Sequence, residues 1–342
     1  MIILGIETSC DDTAISIISV SGYKTKPVFK ILSNIVSSQN MIHQEYGGVY
    51  PMLAKREHQK NLPIVFQEAF EKAKNPNVDL IAVTEGPGLE PCLWQGINFA
   101  KELSKELKIK TVPINHIEAH IFANLIDNKE NIKNLFPSIA LIVSGGHTQL
   151  ILIKDLGKYK IIGETKDDAA GECLDKTARI LGLEYPGGPA IEKMAEKFKE
   201  ESTIQLPRPM IYKKNYNFSF SGLKTAVLYF HKNQPKKIQT SEKYIQEISK
   251  EIQNSVLDVL IKKTIQAAEN YSVRSIILGG GVTANKALRK RFKYEAKLLK
   301  IKLLIPKKKL STDNAVMVAL MGYFKSKTKF SRKIEAKSNL RI

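Results

Sequence analysis

Residues 2–19 read IILGIETSCDDTAISIIS: an Ile-rich apolar run, a short polar turn, and a second Ile-rich run. Short β-branched segments bounded by small and acidic residues are strand-like, so the stretch predicts two strands joined at Glu7–Asp12. Residues 138–155, SIALIVSGGHTQLILIKD, repeat the plan, with the turn at Ser144–His147. Each copy is followed by further strand-like sequence and then by helical patterns. Two such copies point to a duplicated α/β domain; a chance likeness between two hairpins is the competing reading.

The rest of the chain keeps to one recurring unit of strand, small-residue loop and helix. VDLIAVTEGPGLEP (78–91) runs from a strand into a Gly/Pro turn, and SIILGGGVTANKALRKRF (275–292) places Gly279–Gly281 between strand and helix. Apolar spacing predicts amphipathic helices over 62–74, 94–107 and 251–271. STDNAVMVALMGYF (311–324) opens a further helix with four good N-cap residues. In open α/β folds, ligands gather at the loops beyond the carboxyl ends of strands.

Composition narrows the classes. At 342 residues the chain suggests two domains. Hydrophobic (43%) and charged (25%) fractions are ordinary for globular proteins, which excludes disordered or fibrous classes. The N-terminus lacks the basic region of a signal peptide, and no apolar run spans a bilayer. Cys10, Cys92 and Cys173 form no CxxC and no even-numbered framework. A reducing, cytoplasmic setting without a membrane is expected. The net charge of +19 suits a polyanionic partner, nucleic acid first, although a generally lysine-rich chain would give the same total. Its densest basic stretches are 306–310 and 325–337.

Glycine loops at Gly145–Gly146, at Gly279–Gly281 and in YPGGPAIEKMAEKF (185–198) let backbone approach a ligand and offer amides to an anion. None is a P-loop, since GxxxxGK[ST] is absent from the sequence. In INHIEAHIFANLI (114–126), His116 and His120 are four apart on a predicted helix, which suits two imidazoles on one ion; a solvated helix face would read the same. Glu118 falls about 200° around the helix from His116, so the general base of an H-E-x-x-H peptidase is missing. A third ligand is needed. Asp313 is the attractive candidate, with Asp11, Asp12 and His147 open and a plain helix cap as the alternative reading of Asp313. Two His and one carboxylate with open positions suit Fe(II), or Zn(II). Asp167, Asp168, Glu172 and Asp175 in ETKDDAAGECLDKTAR (164–179) could bind hydroxyls or an amine, or cap a helix beginning near Ala169.

GIETSCDDT, NHIEAH, LIVSGGHTQL, DDAAGECLDKTARILGLEYPGGP, FSFSGLKTA, GGGVTAN and TDNAVMVA occur in this order, from residue 2 to about 324. Together they resemble the tRNA N6-adenosine threonylcarbamoyltransferases, and HQEYGGVYPMLAKREH (43–58) looks like the bacterial branch. The segment 86–96 carries Glu90, Cys92 and Trp94 where many members have small or aliphatic residues; no metal position is lost.

The resemblance implies an α/β actin/Hsp70/sugar-kinase-like (ASKHA) fold, with two duplicated ribonuclease-H-like lobes around a central nucleotide cleft. Residues 1–135 would form the N-terminal lobe with a helical metal-site insertion. Residues 136–342 would form the C-terminal lobe, its final helix (about 311–325) crossing back to the first. The implied reaction moves a threonylcarbamoyl group from threonylcarbamoyl-AMP to N6 of adenosine 37 in tRNAs reading ANN codons, releasing AMP. His116, His120 and Asp313 fall on the family's metal ligands. Ile142, Val143, Ser144, Gly145, Gly146, Asp175, Gly188 and Asn285 fall on its substrate-binding positions, with Glu192 where some members have a further acid. One divalent metal is implied, Fe(2+) first, then Zn(2+) or Mg(2+). Implied partners are the tRNA anticodon loop, a catalytically degenerate paralogue and a small ATPase. Glu7, Asp11 and Asp12 are candidate general bases. The rivals are a small-molecule kinase or ATPase of the same superfold, a metallo-glycopeptidase and a non-catalytic scaffold.

Overall fold

The computed structural model describes residues 1–23, 25–327 and 333–342. Part of the basic stretch 325–337 therefore lies outside the described residues. The chain forms two compact units, Met1–Asn134 with Pro306–Ile342, and Leu135–Ile305.

In the first unit, β1 (Ile2–Glu7), β2 (Asp12–Tyr23) and β3 (Lys26–Ser38) make an antiparallel meander. β4 (Leu80–Gly86) then pairs parallel with β1, and β5 (Thr111–Asn115) parallel with β4. The sheet order is β3-β2-β1-β4-β5. In the second unit, β6 (Ser138–Val143), β7 (Thr148–Asp155) and β8 (Lys158–Glu164) form the meander, and β9 (Ser275–Gly279) and β10 (Lys302–Leu304) add in parallel. The order β10-β9-β6-β7-β8 is the same arrangement read from the other edge. The duplication expected from the two hairpins is thus a duplication of whole five-stranded sheets, the ribonuclease-H-like unit of the actin/Hsp70/sugar-kinase class.

Each sheet is covered by helices, which explains why its central strands are apolar without alternation. In the first unit Leu4, Ile6, Ile15 and Ile81 pack against Leu62 and Val65 of the helix Pro51–Lys72, and against Leu93 and Ile97 of the helix Glu90–Leu107. Each such side chain stabilises the fold by roughly 1.5–3 kcal/mol. In the second, Leu141 and Leu150 share a core with Phe218, Phe220 and the long helix Glu242–Asn270. The helix expected from residue 62 begins at Pro51, because proline suits a first helical turn. The last helix spans Ala315–Lys325: Asn314, not Ser311, is its cap, accepting from the Met317 amide at 3.2 Å.

The final helix, which the family resemblance implies crosses back to the first lobe, lies in the first compact unit. Residues 306–342 pack with the first unit. The cause is a stripe of small residues. Ala315, Ala319 and Gly322 recur at helical spacing and lie against β1 and β4, so closely that a Cβ on Gly5 would stand 2.2 Å from the Ala315 carbonyl oxygen. This close approach brings Asp313 to the carboxyl ends of the parallel strands.

Candidate metal centre and glycine loops

Strands β1, β4 and β5 run parallel, so their carboxyl ends place Glu7, Thr84 and Asn115 side by side. The helix His116–Phe122 starts directly after β5, with Asn115 as its cap: Asn115 Oδ1 accepts from the Glu118 amide at 3.1 Å. Its two histidines are buried, with ring centroids 4.6 Å apart. His120 Nε2 is 3.0 Å from Asp313 Oδ1, and His116 Nε2 is 3.5 Å from the same oxygen. One ligand atom from each of the three residues lies within 4.8 Å of the others, and among the described residues this is the sole such group. Two imidazoles and a carboxylate converging from two elements fit a divalent ion.

The far side of His116 is also held. Its Nδ1 is 3.0 Å from Glu7 Oε2 and 3.2 Å from the Ser9 hydroxyl. Glu7 is fully buried and also accepts from the Thr84 hydroxyl (2.8 Å) and the Ser9 amide (2.6 Å). A carboxylate on Nδ1 keeps the proton there and leaves Nε2 free to ligate, the usual carboxylate–histidine support of a metal site. Burial opposes the charge on both groups, but their mutual attraction outweighs it: Glu7 is held below the usual carboxylate range, and His116 is raised to about 9. Glu118, set apart by its helical register, pairs instead with Lys325 of the last helix.

The neighbouring acids differ. Asp11 is raised by burial and by the nearby charge of Asp313. Asp12 is raised to about 7, by burial first and then by Asp11 and Asp313, and its Oδ1 is buried without a hydrogen-bond partner. The loop that carries them is pinned by buried His58, which reaches the Cys10 carbonyl at 2.9 Å and the Thr13 hydroxyl at 2.8 Å. Burial pushes the thiols of Cys92 and Cys173 up to about 12 and Cys10 well above its ordinary value, so none is a ready nucleophile.

In the second unit the corresponding hairpin loop, between β6 and β7, is open. Ile142 and Val143 are buried at the end of β6, whereas a Cβ on Gly145 or Gly146 would meet nothing within 4 Å. Ser144 closes the loop, its amide donating to the His147 carbonyl and its hydroxyl accepting from the His147 amide. Asp175 Oδ1 accepts from the Gly187 and Gly188 amides, at 2.8 and 3.3 Å, fixing the start of the helix Gly187–Lys197. Asn285 caps the helix Lys286–Leu298 through Leu288 and donates to Gln253, while Glu192 accepts from the Lys286 amide at 2.7 Å. Asp167 caps the helix Ser221–Lys232 through two amides and two serine hydroxyls, and Lys176 bridges Asp168 and Glu172.

The model of the family "TsaD: tRNA N6-adenosine threonylcarbamoyltransferase" matches residues 30–320. The chain is 47% identical to a protein of that name from Thermosipho africanus, with all of both chains covered. It is 47% identical to one from Bacillus subtilis, over 94% of this chain and 90% of the relative. The chain belongs to this family.

Its fold is shared outside the family. Full-length HypF, in a phosphate- and nucleotide-bound form, superposes with a TM-score of 0.60 at 13% identity, and HypF of T. kodakarensis with 0.58 at 15%. This chain is covered to 96% and 95% but spans only 47% and 48% of those longer chains, so the likeness concerns the fold alone. Two contacts beside the candidate metal centre are not marked in the sequence. The Glu7 contact joins residues 109 positions apart, and the Glu118–Lys325 pair follows from how the last helix packs. Burial of an acid at the end of an apolar strand was the available signal for Glu7.

Proposed function

We propose that this chain transfers a threonylcarbamoyl group from threonylcarbamoyl-AMP to N6 of adenosine 37 of tRNAs reading ANN codons. In this step N6 attacks the carbamoyl carbon, the bond from that carbon to the phosphate oxygen breaks, AMP leaves, and N6 loses a proton. The observation that carries the reading is the buried His116–His120–Asp313 set, oriented by Glu7, in a chain that belongs to a transferase family. A small-molecule kinase of the same superfold is not favoured: it gives this set no task, and the curated relatives are transferases.

His116 and His120 would bind the ion through Nε2 and Asp313 through its carboxylate, with Fe(2+) first and Zn(2+) or Mg(2+) as alternatives. When bound, it supplies a Lewis acid for phosphate or carbamoyl oxygens. Glu7 keeps His116 in the ligating tautomer. The open Gly145–Gly146 backbone suits the anionic and polar parts of the adenylate, while Asp175 fixes the Gly187–Gly188 turn by taking its amides. Glu192 and Asn285 hold the start of the next helix in position for the same ligand. Among Glu7, Asp11 and Asp12, Glu7 is committed to His116, which leaves Asp11 and Asp12 to take the N6 proton. Asp12, raised to about 7, suits acid–base work at neutral pH.

The helix Lys286–Leu298 supports a tRNA partner. Lys290, Lys293 and Lys297 line its exposed face, with Lys300 just beyond, and none of the four makes an ion pair among the described residues. The target base would be turned out of the anticodon loop to react. A catalytically degenerate paralogue and a small ATPase are proposed as working partners, in the cytoplasm; no described helix is long and apolar enough to cross a membrane. The test is reconstitution of the chain and these partners with threonylcarbamoyl-AMP and unmodified tRNA, scoring modified adenosine by mass spectrometry. Modified adenosine is expected. ATP turnover that needs no tRNA, with no modified base, would overturn the reading in favour of the kinase.

A further inference from the structure

The last ten residues, 333–342, belong to the first unit, with Ile334 and Ala336 packed against its core. From Lys337 onward the segment follows the carboxyl end of β4. The Lys337 amide donates to the Glu85 carbonyl at 2.8 Å, the Gly88 amide donates to the Ser338 carbonyl at 3.2 Å, and Lys337 Nζ lies 3.5 Å from the buried Glu85 carboxylate. The approach is close enough that a Cβ on Gly86 would stand 1.9 Å from the Lys337 carbonyl oxygen. Four residues later the tail reaches the metal helix, where Asn115 Nδ2 donates to the Arg341 carbonyl at 3.2 Å.

Asn115 is the residue before His116 and caps its helix through the other atom of the same amide. The Gly86–Gly88 loop lies against Ser9, whose carbonyl accepts from the Leu89 amide at 2.8 Å and whose hydroxyl touches His116 Nδ1. The tail therefore grips both supports of His116: the cap in front of it and the loop behind Ser9. Two of these contacts are backbone to backbone, and the Asn115 side chain supplies the one that reaches the metal helix.

We propose that the C-terminal hexapeptide Lys337–Ile342 is a positioning strap for the metal centre, holding Asn115 and the Gly86–Gly88 loop so that His116 presents Nε2 in register with His120 and Asp313. The inference rests on the metal reading of those three residues. Outer contacts that orient a ligating histidine typically change metal affinity 10–100-fold when removed. The strap is one step further out, so the low end of that range applies.

The probe is Co(II), titrated into the full chain, into a chain ending at Ala336, and into Asn115→Ser. Serine still caps a helix but lacks the amide that donates to Arg341, so this variant cuts the strap without truncation. About tenfold weaker cobalt binding is expected for the shortened chain, with a shifted visible d–d band and an unchanged far-ultraviolet dichroism spectrum. Asn115→Ser should move affinity and band in the same direction by a smaller amount, and it decides the matter if the shortened chain does not fold. A full chain that binds cobalt and variants that bind it equally, with the same band, would overturn the strap while leaving the metal centre standing. A full chain that binds no cobalt overturns both.

Discussion

In the first unit the candidate ligand atoms belong to side chains, and a buried carboxylate stands behind one of them, Glu7 behind His116, while half-buried Lys325 pairs with Glu118 on the same short helix. In the second unit the equivalent loops offer backbone amides and open space, and the acids there fasten helix starts: Asp175 at Gly187–Gly188, Glu192 at Lys286. The same sheet order would thus serve two ways of holding a ligand. A metal needs deprotonated side-chain donors in a fixed geometry. A phosphate or an adenylate is served by amides and by the absence of side chains. Substitutions should therefore act oppositely in the two units, through chemistry in one and through shape in the other.

The largest expected effect is at Asp313. Asp313→Ala removes one of three protein ligands, and metal content measured on the purified chain should fall well below one per chain. A Lewis acid is worth several kcal/mol, and each 1.4 kcal/mol is tenfold in rate, so threonylcarbamoyl transfer should drop by about 100-fold or more. Full metal content with unimpaired transfer would remove the side-chain half of the comparison.

Next are two glycines of the second unit. Gly280 has φ +89° and a Cβ there would lie 2.3 Å from the Val143 carbonyl oxygen, so Gly280→Ala should cost about 2–4 kcal/mol of stability in denaturant unfolding. At Gly146 a Cβ would meet nothing within 4 Å, so Gly146→Val should leave stability within about 0.5 kcal/mol while raising the KM for threonylcarbamoyl-AMP. If Gly146→Val binds the adenylate normally, the open loop is not where that ligand lies.

A smaller effect separates Asp12 from Glu7. Asp12 is raised from 3.8 to about 7, so between those values the folded chain keeps a proton that the unfolded chain releases. Its contribution to stability is present at low pH and is lost as pH rises through 7. Asp12→Asn, neutral throughout, should therefore be relatively more stable than the parent at pH 8 than at pH 5, by on the order of 1–2 kcal/mol after allowing for partial exposure. Parallel pH profiles of melting for the two proteins would show that Asp12 titrates normally.

How much of this was legible in the sequence follows the same division. The hairpins 2–19 and 138–155 and the strand–glycine–helix units were readable because buried parallel strands are continuous apolar runs and glycine marks close approach. His116 and His120 were readable because four residues make about one helical turn. Asp313 required the family resemblance, since nothing local distinguishes it from a helix cap. The return of the last helix to the first unit came only with the family resemblance, and nothing local marks it: the packing depends on Gly5 meeting Ala315 and Ala319 across more than 300 positions, a contact that small residues permit but do not advertise. Nor did the motif residues reveal that Asp175, Glu192 and Asn285 fasten helix starts, because a ligand-binding side chain and a capping one have the same letter.

The lysine face of the helix Lys286–Leu298 offers the finest test, because it contains its own control. Lys286 is paired with Glu196 at 2.7 Å, whereas Lys290, Lys293 and Lys297 stand unpaired among the described residues. A lysine already neutralised by a carboxylate releases few counterions when a phosphate approaches, while an unpaired one displaces nearly a full one. Each phosphate contact contributes about 0.7–0.9 to the slope of log affinity against log salt. Lys290→Gln/Lys293→Gln/Lys297→Gln should therefore flatten that slope for unmodified tRNA by about 2, with metal content and melting unchanged, whereas Lys286→Gln should alter it by much less. Filter binding across a salt series measures both. Equal slopes for the parent and the triple variant would place the tRNA on another face of the second unit or on the first, and would leave the charge of this helix as ordinary solvation in a lysine-rich chain.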